Sequence, residues 1–153
     1  EYGNRLKLHV GVLLTIGTFH YYVPISSAKP KHQQMSNSLD FHKLQDESNG
    51  YLYAVLNINN MIPVPDNSIV QLKYDQIENF RSFQNEKEKT DYIYLLQKEK
   101  ALIDKVQDTL QSKALKLYQK CTAKPDSSLA SRCCNFKLLE EKCASFVFNP
   151  SHN

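Results

Sequence analysis

The sequence predicts an α+β fold: a twisted, mainly antiparallel sheet packed by about four helices. Two observations carry this. Short runs of strand formers separated by turn residues occupy the first half of the 153 residues. From Glu86 to Lys120 there is neither Gly nor Pro, and Ile93, Leu96, Ile103, Val106, Leu110, Ala114 and Leu117 recur at helical spacing.

The elements follow in order. Lys7 to Ile16 is apolar and rich in strand formers, Gly17-Thr18 turns the chain, and Phe19 to Ser26 returns, which is a hairpin pattern. Pro24 cannot donate to a ladder, so it places that part of the return strand at an edge or bulge. Ser27 to Asn37 reads as a loop. Leu39 to Leu44 alternates apolar and polar, as a half-buried strand does. Asp46 to Gly50 turns the chain into a strand from Tyr51 to Ile58. Pro63 and Pro65 keep Met61 to Pro65 extended, and Ser68 to Leu72 is expected to be the last strand. The helical region exceeds the usual helix length, so a break into two helices is expected. Pro125 ends it, with Asp126-Ser127-Ser128 capping a short turn. Asn135 reads as the N-cap of a final short helix, with Phe136, Leu139, Cys143 and Phe146 on one face.

Hydrophobic residues make up 41% and charged residues 23% of the chain, which suits one soluble domain over 1–153. The net charge of +3 is compatible with a polyanion partner without implying one. No apolar run is long enough to span a membrane. Cys121, Cys133, Cys134 and Cys143 are neither dense enough for a secreted disulfide framework nor spaced as a zinc site, so reduced thiols in a cytoplasmic protein are expected.

The common signatures of chemistry are absent. There is no phosphate-binding P-loop, no dinucleotide fingerprint and no metalloprotease motif. Four glycines exclude a glycine-rich phosphate cradle. No carboxylate cluster in the sheet half suits a two-metal nuclease. No cofactor and no metal are expected. One segment does concentrate functional groups: Ser26-Ser27-Ala28-Lys29-Pro30-Lys31-His32 carries hydroxyls, ammonium groups and an imidazole at a strand end. Pro30 holds Lys29 extended, and alternation in an extended chain would put Ser27, Lys29 and Lys31 on one face, suited to a phosphate. A plain solvated loop has the same composition. Tyr21, Tyr22, Tyr51 and Tyr53 suit base stacking or, more commonly, sheet packing.

Four segments read together favour function. Pro24-Ile25-Ser26-Ser27-Ala28-Lys29-Pro30-Lys31-His32, Met35-Ser36-Asn37-Ser38-Leu39-Asp40-Phe41, Leu56-Asn57-Ile58-Asn59-Asn60-Met61-Ile62-Pro63-Val64-Pro65 and Cys134-Asn135-Phe136-Lys137-Leu138-Leu139-Glu140-Glu141-Lys142 stand in the order and spacing of one family. In that order the chain resembles the ToxN/AbiQ/CptN family of toxins from type III toxin–antitoxin systems. The resemblance implies a compact, twisted antiparallel sheet wrapped by helices, related in shape to the MazF and Kid toxins. It implies a metal-independent endoribonuclease that leaves a 2′,3′-cyclic phosphate and a 5′-hydroxyl on substrate mRNA. It also implies a partner: a repeated pseudoknot antitoxin RNA that blocks the site and closes a protein–RNA hetero-oligomer, in a system acting against phage by abortive infection. The family's active-site Ser and Lys match Ser27 and Lys29, with Ser26 at the preceding hydroxyl position. A Tyr and a basic residue before the first hairpin strand match Tyr2 and Lys7, with Arg5 the alternative to Lys7. Ala28 stands where the family has Pro, which should loosen the loop. The family begins with a strand and a short helix ahead of that Tyr, and the native protein is expected to contain them.

For the chemistry, a base takes the 2′ proton, an acid protonates the leaving 5′-oxygen, and donors stabilise the charge gathering on phosphorus. The resemblance assigns Lys29 and Ser27, helped by Ser26, to the phosphoryl oxygens, and Tyr2 with Lys7 or Arg5 to positioning the phosphate. Arg5, Lys31, His32, Lys116, Lys120, Lys124, Arg132 and Lys137 are candidates for binding RNA backbone, and a solvated helix face is an equal reading for the helical ones. The runner-up function is a non-catalytic RNA-binding protein. A third reading is a protein-interaction domain whose helical stripe takes a partner helix.

Overall fold

Elementary strand chemistry accounts for the hairpin that opens the fold. In this computed structural model, which describes residues 9–146, β1 (His9–Ile16) and β2 (Phe19–Ser27) pair antiparallel. Gly17 takes the left-handed φ of 56° that the tight turn requires and that other residues reach only at a cost. The register slips by two residues between Val10↔Val23 and Leu14↔Tyr21, and consecutive Leu13 and Leu14 are both buried beyond this bulge.

β2 is the spine of the sheet. Strand order is β1-β2-β4-β3, with β3 spanning Phe41–Gln45 and β4 spanning Leu52–Asn57. The two-residue β5 (Ile62–Pro63) pairs with Tyr21 and Tyr22 of β2, whereas β4 pairs with Ile25 to Ser27. Pro24 lies between these two partners and pairs with His9 on the other side. The expectation of an edge is therefore corrected. β2 is central, and its proline sits where the strand passes from one partner to the next, the place in a ladder where a missing N–H costs least.

Several expected elements differ. The loop after Ser27 contains a one-and-a-half-turn helix, α1 (Pro30–Gln34), with Pro30 at its first position and Lys29 extended (φ −124°, ψ 157°) before it. Ser68 to Leu72 is not a strand. Asp66–Ser68 forms a 3-10 turn, and Val70 is 74% exposed because no strand edge takes it up. A further 3-10 segment, Tyr74–Asn79, buries Ile77. The long helical stretch does not break: α2 runs from Glu86–Ala123, 38 residues or about 57 Å. Asn85 caps it by accepting from Glu88 N, and with no Gly or Pro inside nothing interrupts the ladder.

α2 lies across β1, β4 and β3. Ile103, Leu110, Ala114 and Leu117 pack on Leu13, Tyr21, Val23, Leu44, Ala54 and Leu56. Asn135 caps α3 (Phe136–Ala144) as expected, accepting from Leu138 N at 3.1 Å. Phe136 is buried and Leu139 and Cys143 are half-buried, but Phe146 lies past the helix and is 53% exposed, so the expected apolar face holds except at its end. All four cysteines are free, with Cys121 buried and the other three half-buried.

Candidate active site

The sheet end where β2 stops and β4 starts is built by register. Ser26 pairs with Val55, which pairs with Lys43; Ser27 pairs with Ala54, which pairs with Leu44. Paired residues share a face. Ser27 therefore belongs to the face covered by α2, at its open end, where it is exposed. Ser26 belongs to the opposite face and accepts a hydrogen bond from Asn57 Nδ2 at 3.2 Å. The two adjacent hydroxyls diverge.

The outer face is closed by the chain that follows. Ala28 packs on a small cluster of Phe41, Leu52 and Val55, and the His32 ring tilts against Phe41 at 5.8 Å. His32 is 7% exposed. Its Nδ1 accepts from Lys29 N at 3.0 Å while its backbone N–H donates to Lys29 O at 2.8 Å. This reciprocal pair fixes the backbone of Lys29. Burial, and then the positive charges of Lys31 and Lys29, lower the His32 pKa and favour the neutral ring that the accepted bond requires. Thus His32 is turned inward to hold the loop and is not presented at the surface.

Lys29 and Lys31 are exposed. Lys31 does not share the extended face that alternation would give it with Ser27 and Lys29, because α1 begins at Pro30 and the period of two ends at Lys29. Lys43 donates to Gln33 O at 3.3 Å, adding an ammonium at the end of α1. Among the described residues no ion pair within 4.0 Å engages Lys29 or Lys31, so their charge is available to an anion. Among the described residues no group of three His, Cys, Asp or Glu side chains is placed to hold a metal ion. Tyr2, Arg5 and Lys7 lie outside the described residues.

The remaining basic candidates are elsewhere. Lys116 rims a hollow with Leu39, Asp108, Thr109, Ser112 and Lys113, and Lys120 and Lys124 rim another with Gln119, Ala123, Ser127 and Leu129. Neither hollow includes the Ser26–His32 segment. Arg132 is paired with Asp40 at 3.1 Å, and Lys137 with Glu140 at 3.0 Å and the Tyr118 hydroxyl at 2.6 Å.

The four segments that stand out in the sequence meet in space. Asn57 supports Ser26. Asp40 holds Arg132 through its carboxylate, and its carbonyl accepts from Asn59 N at 3.2 Å. Asn59 Nδ2 donates to Arg132 O at 2.7 Å, and its carbonyl accepts from Cys134 N at 2.9 Å. Asn57 is the site residue that sequence reasoning passed over. Its signal was present as an amide closing a strand inside the quoted Leu56-to-Pro65 segment.

Comparison with known proteins identifies the family. The family model described as toxin ToxN, type III toxin–antitoxin system, matches residues 1–144. The chain is 26% identical to the endoribonuclease AbiQ of Lactococcus lactis subsp. lactis, over 95% of this chain and 76% of that protein. It is 30% identical to the endoribonuclease ToxN of Bacillus thuringiensis subsp. kurstaki, over 90% and 68%. The solved structure of AbiQ, a lactococcal anti-phage endoribonuclease of a type III system, superposes with a TM-score of 0.74 at 27% identity, over 95% of this chain and 82% of that one. A bacterial type III toxin inhibited by a non-coding RNA pseudoknot superposes at 0.72 with 28% identity, over 91% and 79%. The family match spans residues 1–144 and the shared fold covers 91% or more of the chain, so the chain belongs to the ToxN family, the toxins of type III toxin–antitoxin systems.

Proposed function

We propose that this chain is an endoribonuclease toxin that cuts mRNA by 2′-hydroxyl attack, without metal, leaving a 2′,3′-cyclic phosphate and a 5′-hydroxyl. The observation that carries it is Lys29: an exposed ammonium whose backbone is locked by His32, two residues past the exposed Ser27 at the end of β2. Negative charge grows on the phosphoryl oxygens in the transition state, and a preoriented ammonium and hydroxyl stabilise it there more than in the ground state. Lys29 and Ser27 face that charge. Ser26, held by Asn57, keeps the strand end in place. Lys31 adds field. Tyr2 with Lys7 or Arg5 positions the phosphate and moves the proton. Because the attacking group is the 2′-hydroxyl, RNA is cut and DNA is not.

The family supports the rest of the reading. A pseudoknot antitoxin RNA occupies the same groove and closes a protein–RNA assembly, and the system defends the cytoplasm against phage. Among the described residues no helix is long and apolar enough to cross a membrane.

The test is cleavage of labelled mRNA by RNA-free protein in EDTA, beside Lys29→Ala. Cyclic-phosphate ends from the wild type alone are expected. Cleavage that returns only on adding a divalent ion overturns the metal-free chemistry. Intact RNA that shifts in a gel overturns the nuclease and leaves an RNA-binding protein.

A further inference from the structure

One exposed cluster is absorbed neither by the core nor by the Ser27–Lys29 site. It begins with a defect in the β3–β4 ladder. Leu44 pairs with Ala54 and Gln45 with Leu52, so Tyr53 stands opposite no residue. Such a bulge re-aims side chains. Leu52 joins Phe41 and Val55 on the outer face. Tyr53 turns to the α2 side, where burial and then Tyr94 of α2 raise its pKa while the Lys98 charge opposes the rise.

Three rings gather there. Tyr51 and Tyr53 meet edge to face at 4.6 Å, and Lys98 Nζ sits 5.4 Å from the centre of the Tyr94 ring. Tyr51 is 60% exposed and Tyr94 is 54% exposed, which is unusual for large rings that nothing in the fold requires at the surface. The presenting loop is rigid. Asp46 Oδ1 accepts from Ser48 N and Oγ, Asp46 N donates to Tyr51 O, and Gly50 takes a φ of 71° to close the turn. Rings held in advance lose little freedom when a ligand arrives.

Position gives the cluster its meaning. β2 and β4 are antiparallel, so the end of β2 and the start of β4 lie at one end of the sheet. Ser27 is paired with Ala54, the neighbour of Tyr53, on the same α2-side face. The rings therefore continue the surface that starts at Ser27 and Lys29. Flat faces beside ammonium groups fit an unpaired nucleic-acid strand, whose bases stack and whose phosphates pair with Lys98 and Lys29.

We propose that Tyr51, Tyr53 and Tyr94, with Lys98, form a base-stacking subsite for the single-stranded RNA that flanks the bond cut at Ser27 and Lys29. The subsite rests on the nuclease reading above and adds to it the residues that would hold the strand beside the cut bond. It selects strand structure and stacking strength in preference to base identity, because every base has a π-face.

The test uses a single-stranded oligoribonucleotide carrying 2-aminopurine, 2′-O-methylated to prevent cutting, whose emission falls when the base stacks. Wild type and Tyr51→Phe/Tyr94→Phe are expected to quench it. Tyr51→Leu/Tyr94→Leu is expected to lose the quench and bind about tenfold or more weakly, with the salt slope unchanged. Lys98→Gln should instead flatten that slope by about one unit. Quench and affinity equal to wild type in the Leu pair overturn the subsite. With unmodified RNA the two readings separate. Equal cleavage at equal KM by wild type and the Leu pair sinks the subsite and keeps the nuclease. Uncut RNA that still binds with the ring-dependent quench sinks the nuclease and keeps a stacking site.

Discussion

Tyrosine and lysine are used in opposite ways at the two ends of β2. Near its start, Tyr21 is buried and donates to Glu140 Oε1 at 2.8 Å, Tyr118 donates to the same oxygen at 2.7 Å, and Lys137 closes the group from Oε2. Burial and the Glu140 carboxylate raise the Tyr21 pKa, keeping its proton in place. Burial alone would raise Glu140, but hydrogen bonds from Tyr118, Lys137 and Tyr21 outweigh it and hold the carboxylate charged. Near the end of β2, by contrast, Lys29 and Lys31 are exposed, and the neighbouring Tyr51 and Tyr94 rings face solvent. The first cluster satisfies itself and joins β2, α2 and α3. The second leaves its bonding capacity for a ligand. The residue type does not decide which role is taken; the presence of an internal partner does.

Breaking the first cluster should cost fold and not chemistry. Glu140→Ala strands two buried phenols without their acceptor and removes the counter-ion of Lys137. A loss of about 2–6 kcal/mol is expected from urea titration, because each of two buried phenols loses its acceptor at about 1–3 kcal/mol, while Lys137 is left largely in water. An unchanged midpoint would show that the network is ornamental.

Breaking the second should cost chemistry and not fold. Lys29→Ala and Ser27→Ala should each lower single-turnover cleavage by about 10²–10³-fold, the scale for one donor to a developing oxyanion. Their urea midpoints should move by less than about 0.5 kcal/mol, as for exposed positions. A large stability loss in either would mean that the loop is built for structure, and the contrast between the ends of β2 would fail.

Acid should blur the contrast from the structural side. His42 lies on the α2 face of β3, 7% exposed, with Nδ1 3.1 Å from Lys113 Nζ. Burial first, then the Lys113 charge, lower its pKa from 6.5 to about 4. The unfolded chain therefore binds more protons than the folded one between these values, and stability falls as pH drops from about 6.5 to about 4. The shift corresponds to up to about 3 kcal/mol. His42→Gln should flatten the dependence of the urea midpoint on pH in this window. A wild-type midpoint that stays level from pH 7 to pH 4.5 would rule the burial effect out.

How much of this was legible in the sequence divides along the same line. Local signals survived: the Gly17 turn, the Asn135 cap and the extended Met61-to-Pro65 stretch. What failed needed knowledge of a distant partner. Ser68 to Leu72 has strand composition but no edge to pair with. The divergence of Ser26 from Ser27 depends on register with β4, and the α1 turn depends on His32 finding Phe41. Sheet packing is the commoner role for a strand tyrosine such as Tyr53, and only the pairing of β4 with β3 reveals the bulge. Tyr94, more than forty residues onward, carried no signal at all as a neighbour of Tyr53.

The smallest expected effect concerns the contact that looks most specific. Asp40 is held below the usual carboxylate range: burial opposes this, but hydrogen bonds from Ser38, its own backbone N–H and Arg132 prevail. Arg132 meets it with both Nε and Nη2, yet the arginine side chain is 57% exposed. Water screens such a pair, so Arg132→Gln should cost at most about 1 kcal/mol. Asn59 still bonds the residue-132 carbonyl and residue 134 N–H through backbone groups that this substitution leaves in place. If Arg132 also touches RNA, the variant would weaken binding by more than it destabilises the fold, with a flatter salt slope. A loss confined to stability would assign Arg132 to the self-satisfied half of the molecule, alongside Lys137.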